Sequence, residues 1–339
     1  MSLAPIVVTG ATGFLGGALV RRLRAEGVLV RASGRDVRRG EALARETGAD
    51  FVRADLAVVS DADRALRDSL AVVHCAALSS PWGRPADFDR ANVRATENVV
   101  QACERFHVAR LVHVSTPAVY FDLSAREGIR ERDPLPTEPI NDYARTKLEA
   151  EDVVRRAARR GLETVIVRPR AIYGPGDTTI LPRVVDALER GLFPILDGGR
   201  SLVDLTFIDD AVESLVCALR SGRCVGGTYH VSSGDPRPIG EVIEALADGL
   251  GVPRPRRHVS SARALALASI LETAHRLFAP DREPRLTRYT VGLLARTMTL
   301  DLSAARDELG YVPRVRLEEG LARYLAHVRA ELRAPRGSR

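Results

Sequence analysis

The amino-acid sequence predicts an α/β fold: a doubly wound parallel sheet with a smaller, mainly helical C-terminal lobe. Three observations carry that expectation. Short apolar runs alternate with amphipathic stretches through the first half of the chain, the pattern of βαβ units with helices on both sheet faces. A glycine triplet, Gly10, Gly13 and Gly16, separates the first apolar run from the first helical stretch. After Arg168 the texture changes to loops punctuated by Gly and Pro, and from Gly234 onward to mainly helical patterns.

Strands are expected at Pro5–Thr9, Leu29–Ala32, Asp50–Arg53, Ala71–Cys75, Arg110–Ser115 and Thr164–Arg168, with one more at Gly227–Ser232. Helical patterns cover Gly16–Glu26, Asp61–Ser69, Ala91–Phe106 and Tyr143–Arg160. Residues 1–170, joined again by about 201–233, form the expected dinucleotide-binding unit. Residues 171–200 and 234–330 form the substrate lobe, and 331–339 a polar tail.

Composition excludes several classes. A chain of 339 residues, 45% hydrophobic, is long enough to bury a full core and too apolar for disorder. Its 27 glycines and 19 prolines exclude a coiled coil. No apolar run reaches the ~18 residues of a membrane-spanning helix. A strand beginning at Ile6 leaves no charged leader, so a cytoplasmic protein is expected. The cysteines, 75, 103, 217 and 224, lack C-x-x-C spacing, which points to buried thiols rather than zinc, and no metal is expected. The net charge of +6 is spread among 44 acidic residues without a basic run, so a nucleic-acid partner is not expected.

The loop Thr9-Gly10-Ala11-Thr12-Gly13-Phe14-Leu15-Gly16 carries the cofactor expectation. Its glycines let the backbone turn tightly and approach a pyrophosphate at a helix N-terminus, where free N–H groups and the helix dipole favour anions. In a βαβ context this is a Rossmann-type signature, and Gly10, Thr12, Gly13, Phe14, Leu15 and Gly16 become candidate cofactor contacts. Where NAD-binding chains place an acidic residue on the ribose hydroxyls, this chain has Ser33, followed by Arg35. A small hydroxyl beside a guanidinium suits a 2′-phosphate, which favours NADP(H), with NAD(H) as the alternative. Asp36 argues the other way, because a register shift would place it on the ribose. Asp55-Leu56 after the third strand and Ala76-Ala77 after the fourth complete the expected nucleotide side.

One compositional fact is sharper than the rest. Of the 50 lysines and arginines, only Lys147 is a lysine. A position that keeps lysine against such a bias needs a compact ammonium or a tunable proton. It lies four residues after Tyr143, on the same face of a helix. An adjacent ammonium stabilises a phenolate and moves a tyrosine towards useful acid–base chemistry.

The glycine loop together with Tyr143-x-x-x-Lys147 resembles the extended short-chain dehydrogenases/reductases over nearly the whole chain. The resemblance implies that Thr116, in His113-Val114-Ser115-Thr116-Pro117-Ala118-Val119-Tyr120, holds the substrate oxygen while Tyr143 transfers the proton. It implies that Lys147 and Tyr143 also meet the nicotinamide ribose, that Asn92 anchors a water relay, and that Pro169 and Ile172 lie at the nicotinamide end. Ser115 is the competing hydroxyl, and a helix cap the competing use of Asn92. Family members acting on nucleotide sugars carry asparagine where this chain has Ala171, which counts against that substrate class. The family also implies a homodimer through helices near 91–106 and 143–160.

Leu78-Ser79-Ser80-Pro81-Trp82-Gly83, Tyr120-Phe121-Asp122 and Glu283-Pro284-Arg285-Leu286-Thr287-Arg288-Tyr289 are similar to the 3β-hydroxysteroid dehydrogenase-like branch, and within it to the bacterial 2-alkyl-3-oxoalkanoate reductases of olefin biosynthesis. That similarity implies reduction of a lipid-like ketone, or oxidation of a sterol-like alcohol by the same residues in reverse. A non-catalytic dinucleotide sensor is the reading of a different class, and the intact Thr116, Tyr143 and Lys147 argue against it. The insert from Phe121 to Ile140 is expected to wall the substrate pocket. In Ala262–Phe278, Leu265, Leu267, Ile270, Leu271, Ala274, Leu277 and Phe278 follow a helical rhythm. That stripe is expected to pack on its own lobe, with an acyl-chain cap or a peripheral membrane contact as the alternatives.

Overall fold

The computed structural model describes residues 4–333. Its centre is a seven-stranded parallel sheet of β1 (Ile6–Thr9), β2 (Val30–Gly34), β3 (Asp50–Arg53), β4 (Ala71–His74), β5 (Arg110–Val114), β6 (Glu163–Pro169) and β7 (Thr228–Val231). The spatial order is β7-β6-β5-β4-β1-β2-β3. The chain winds outward from β1 to β3, then returns to β4 on the other side of β1, in register Ile6 with Ala71. That reversal opens a crevice at the C-terminal ends of β1 and β4, where sheets of this type bind ligands.

Consecutive strand residues face opposite sides, and both sides are buried. Val8, Val73 and Val112 join one core with Leu19, Val20 and Leu215. Val7, Val72 and Leu111 join the other with Leu66, Val99 and Val154. Apolar residues on both faces are what a fully covered parallel sheet requires. The helices around the sheet are α1 (Phe14–Ala25), α2 (Val37–Thr47), α3 (Val59–Leu66), α4 (Ala95–Arg105) and α5 (Asp142–Arg159). The sequence reading did not anticipate α2, whose ends are nonetheless well marked: Asp36 caps the start and Gly48, at φ 69°, ends it.

The rest of the chain adds α6 (Leu181–Glu189), α7 (Ile208–Arg220), α8 (Ile239–Leu250), α9 (Ser261–Phe278), α10 (Arg288–Ala295) and α11 (Leu317–Arg333). Of these, α7 packs back on the sheet with α1. A small second sheet joins Arg237–Pro238, Leu202–Val203, Met298–Leu300 and Arg126–Ile129 in that order. The insert after Phe121 thus contributes a strand beside Met298–Leu300. Leu202–Val203 sits in this small sheet, and pairing with the segment after β6 starts at Thr206. Helix α11 runs through the start of the stretch read as a tail, and residues 334–339 lie outside the described residues. Among the described residues no helix is long and apolar enough to cross a membrane.

Candidate active site

The glycine loop is closed by contacts that exclude side chains. Gly10 turns at φ 67°, and a Cβ there would lie 2.7 Å from the Ala76 backbone nitrogen. A Cβ on Gly16 would lie 2.4 Å from the Gly10 carbonyl oxygen. Helix α1 then starts with Gly13 as its N-cap, which offers no side-chain acceptor to the first N–H groups. The result is a side-chain-free cradle whose free donors suit a pyrophosphate. Thr12 packs over Gly34 at the end of β2, Phe14 reaches towards Gly176, and Leu15 is partly buried. Ala76 and Ala77 continue β4 with no bulk above the crevice, and Leu56 is buried after β3. Pro169 ends β6, and Ile172 pairs with Thr206 close by.

At the end of β2, Ser33 is buried and its Oγ has no hydrogen-bond partner. Asp36, half-exposed, already has a structural task. It caps α2, accepting from the Arg39 backbone N–H at 3.0 Å, and pairs with the Arg39 side chain. Arg35 is exposed and faces Asp55. Burial would raise the Asp55 carboxyl, but hydrogen bonds from Arg90 and the Ala57 N–H, with the charges of Arg90 and Arg35, hold it below the usual range.

Tyr143 and Lys147 stand one turn apart at the start of α5, whose first turn is capped by Asn141 accepting from the Ala144 N–H at 2.9 Å. Thr116 follows β5, and its hydroxyl caps the turn Pro117–Tyr120. Burial raises the Tyr143 phenol, opposed by hydrogen bonds to Ser79 and Thr116. Thr116, rather than Ser115, meets Tyr143; the buried Ser115 hydroxyl lies towards the Glu151 carboxylate instead. The lowering effect on Tyr143 comes from these two hydroxyls, whereas the sequence had suggested the ammonium.

Lys147 is 2% exposed. Its Nζ donates to the Val114 carbonyl at 2.7 Å and lies 3.3 Å from His113 Nε2. Burial lowers its pKa to about 8, opposed by the charge of Glu151. His113 is buried, and burial followed by the charge of Lys147 holds it neutral. A neutral imidazole accepting at Nε2 carries its proton on Nδ1, and that atom has no partner. Beside it stands His74, 5.4 Å between ring centroids. The Thr96 hydroxyl donates to the Asn92 carbonyl at 2.6 Å, which leaves it to accept from His74 Nε2. His74 Nδ1 accepts in turn from Thr9 at 2.7 Å.

Asn92 is not a helix cap. It sits in the π-type turn Asp89–Arg94, and its amide grips the Leu78 backbone through N–H at 2.7 Å and carbonyl at 3.2 Å. Its Nδ2 also reaches Thr146 at 3.0 Å. Asn92 thus ties the segment carrying Ser79 to the helix carrying Tyr143.

Four participants escaped the sequence reading. Ser79 and His113 lie within quoted motifs, yet nothing local marks them as partners of Tyr143 and Lys147. Tyr289 is the third: burial raises its hydroxyl, Tyr143 adds to the rise and the charge of Arg170 opposes it. Its ring meets Phe121 edge-on at 5.9 Å. The fourth is Glu151, buried one turn after Lys147, which receives Arg168 at 2.7 and 2.6 Å and Arg155 at 2.6 Å. This buried ion pair clamps α5 to β6; removing one partner alone would strand a buried charge.

Comparison with known proteins agrees with this geometry. The profile of the NAD dependent epimerase/dehydratase family matches residues 6–232. A 2-alkyl-3-oxoalkanoate reductase of Stenotrophomonas maltophilia is 34% identical over 327 residues, covering 95% of this chain and 98% of the relative. A 3beta-hydroxysteroid-dehydrogenase/decarboxylase of Arabidopsis thaliana, isoform 1, is 32% identical over 312 residues, covering 86% and 70%. Among solved structures, MoeE5 in complex with UDP-glucose and NAD superposes with a TM-score of 0.76 at 27% identity, covering 97% of this chain and 100% of that one.

Proposed function

Because the chain belongs to the NAD dependent epimerase/dehydratase family, the extended short-chain dehydrogenases/reductases, we propose that it reduces a bulky or long-chain ketone, converting a 2-alkyl-3-oxoalkanoate to its 3-hydroxy acid. It is an oxidoreductase of an NAD-dependent family. The observation that carries the reading is the meeting of the Thr116 and Ser79 hydroxyls at Tyr143, one turn from a buried Lys147.

The nicotinamide, when bound, supplies a hydride to the carbonyl carbon. The chain does the rest. The Thr116 hydroxyl donates to the substrate oxygen and fixes its direction. Tyr143 Oη gives its proton to that oxygen as charge develops, and the oxygen stays on the carbon as the hydroxyl of the product. Lys147, whose Nζ turns to the Val114 carbonyl and His113 one turn from Tyr143, would hold the nicotinamide ribose and so keep the cofactor against the tyrosine. Asn92 holds the Leu78 backbone, and so keeps Ser79 in place.

NADPH is the proposed donor. The buried, unpartnered Ser33 hydroxyl and the exposed Arg35 leave room and charge for a 2′-phosphate, while Asp36 is engaged at the cap of α2. Ala171 supports the choice of substrate class. It adopts φ 42°, where Asn is at home and a methyl is strained, yet the Asn expected of nucleotide-sugar enzymes is absent. The relative from Arabidopsis favours a second reading, oxidation of a sterol-like alcohol by the same residues run backward.

The test is turnover with freshly prepared 2-alkyl-3-oxoalkanoic acids, comparing NADPH with NADH and a sterol-type alcohol with each oxidised cofactor. Faster turnover of the keto acid, with kcat/KM about tenfold or more higher for NADPH, is expected. Turnover of the sterol alone would replace the substrate assignment, and preference for NADH would overturn the cofactor assignment.

A further inference from the structure

Helix α9 packs the wrong way round for an ordinary surface helix. Its inward side carries Ala264 and Ala268, which meet Val291, Ala295 and Leu196 of a small satellite core, and the buried Glu272. Glu272 accepts from the Arg288 backbone N–H at 2.7 Å and from Arg288 Nε at 2.9 Å. Leu265 packs partly against this core and Leu271 is half-buried, while four other large apolar residues point outward: Leu267 is 51% exposed, Ile270 66%, Leu277 70% and Phe278 85%. They are spaced three, seven and one residues apart, so they form one stripe along the helix. Single exposed leucines are ordinary, but a contiguous stripe rimmed by polar groups marks a docking surface.

The rim says what docks. Arg263 is exposed on the same side of the helix, and Arg282 and Arg285 are exposed in the loop that follows its end, whereas Arg276 lies over the Trp82 ring. The acids of the same stretch are already engaged: Glu272 with Arg288, Asp281 with Arg84, and Glu283 with Arg183. The face therefore presents apolar side chains with unpaired guanidinium groups at Arg263 and, past its C-terminal end, at Arg282 and Arg285. We propose that the outer face of α9 is a peripheral membrane-docking surface that seats on an anionic lipid bilayer, burying Leu267, Ile270, Leu277 and Phe278 among the acyl chains while the arginines meet headgroup phosphates.

The position of the face gives the contact a use. Trp82 donates from Nε1 to the Pro280 carbonyl at 2.9 Å and meets His275 edge-on, with Arg276 over its ring. Arg84 pairs with Asp281. Trp82 and Arg84 belong to the same short loop as Ser79, the partner of Tyr143. The bilayer surface thus lies beside the loop that borders the catalytic tyrosine, where a lipid-like ketone can pass from one to the other. Docking itself does not depend on which ketone is the substrate.

The test is flotation of the full chain with vesicles of phosphatidylcholine alone or mixed with phosphatidylglycerol, at low and high salt. Binding to the anionic vesicles, weakened by salt, is expected. The double substitution Leu277→Ser with Phe278→Ser should lower it by about tenfold or more. A second variant, Arg263→Gln with Arg282→Gln, should lose the salt-sensitive part while keeping the apolar stripe. Unchanged melting and turnover of a water-soluble short-chain ketone show that both variants remain folded. Failure to bind either vesicle overturns the proposal. So does a sedimentation experiment in which the Leu277/Phe278 change turns a dimer into a monomer without affecting vesicles, which would make the face a protein interface.

Discussion

The first turn of α5 and the outer face of α9 depart from ordinary burial in opposite directions. At α5 the fold buries an ammonium, two neutral imidazoles and several hydroxyls that water would solvate more cheaply. At α9 it holds apolar side chains in water while small residues and a glutamate turn inward. Neither choice minimises the free energy of the isolated chain. Sites that break the rules of burial are where function is expected, and the two differ in what they need. The buried polar cluster needs a dry, rigid setting for proton transfer, whereas the exposed stripe needs something outside the chain to cover it.

Substitutions can break or sharpen this contrast. The largest effect belongs to Tyr143→Phe, which keeps the ring and removes only the transferable proton. Turnover should fall about 10³-fold, with cofactor affinity and melting temperature little changed. Retained turnover would move the acid elsewhere. Next comes His113→Leu, which deletes the imidazole that Lys147 approaches at 3.3 Å. A loss of about tenfold in kcat is expected, with a displaced pH profile, and His113→Gln should restore part of it because its carbonyl can accept. Equal losses in both variants would make His113 a packing residue only. The smallest effect belongs to α9. Leu277→Ala should change stability by less than about 0.5 kcal/mol, while Leu215→Ala, fully buried against the sheet, should cost about 2–5 kcal/mol in denaturant titration. Similar costs at both positions would mean that α9 is packed in solution.

The same contrast explains what the sequence disclosed. The glycine loop and Tyr143-x-x-x-Lys147 are local patterns, each within one turn or one helix, so spacing alone placed them together. Strand and helix alternation likewise gave the seven-stranded sheet, because the central strands are short and largely apolar with both faces buried. Contacts such as Ser79 with Tyr143 or Tyr289 with Phe121 join distant segments, and no local pattern encodes them. Helix α9 is the instructive mixed case: Leu265 packs on the satellite core, while Leu267, Ile270, Leu277 and Phe278 stay exposed. Its leucine stripe was visible, and packing of that stripe on the lobe was the simpler expectation, but periodicity finds a face without saying which way it turns. The decision rests on Glu272, whose grip on Arg288 fixes the opposite side inward.

The pH behaviour of Lys147 links stability to chemistry. Burial lowers its pKa from 10.5 to about 8, a penalty of about 3 kcal/mol on the protonated fold. Between those values the unfolded chain binds the proton more readily. Stability therefore rises as pH climbs through that window, and the penalty is complete below about pH 8. The central claim is that the chain keeps this costly ammonium for catalysis, and Lys147→Met tests it most directly when turnover and melting temperature are measured on one preparation across pH 7 to about 10. The account predicts a loss of about 10²-fold in turnover, with a melting temperature at pH 7 that is unchanged or higher than that of the wild type. Full turnover, or a melting temperature lower by more than about 5 °C, would contradict it and make Lys147 a structural residue.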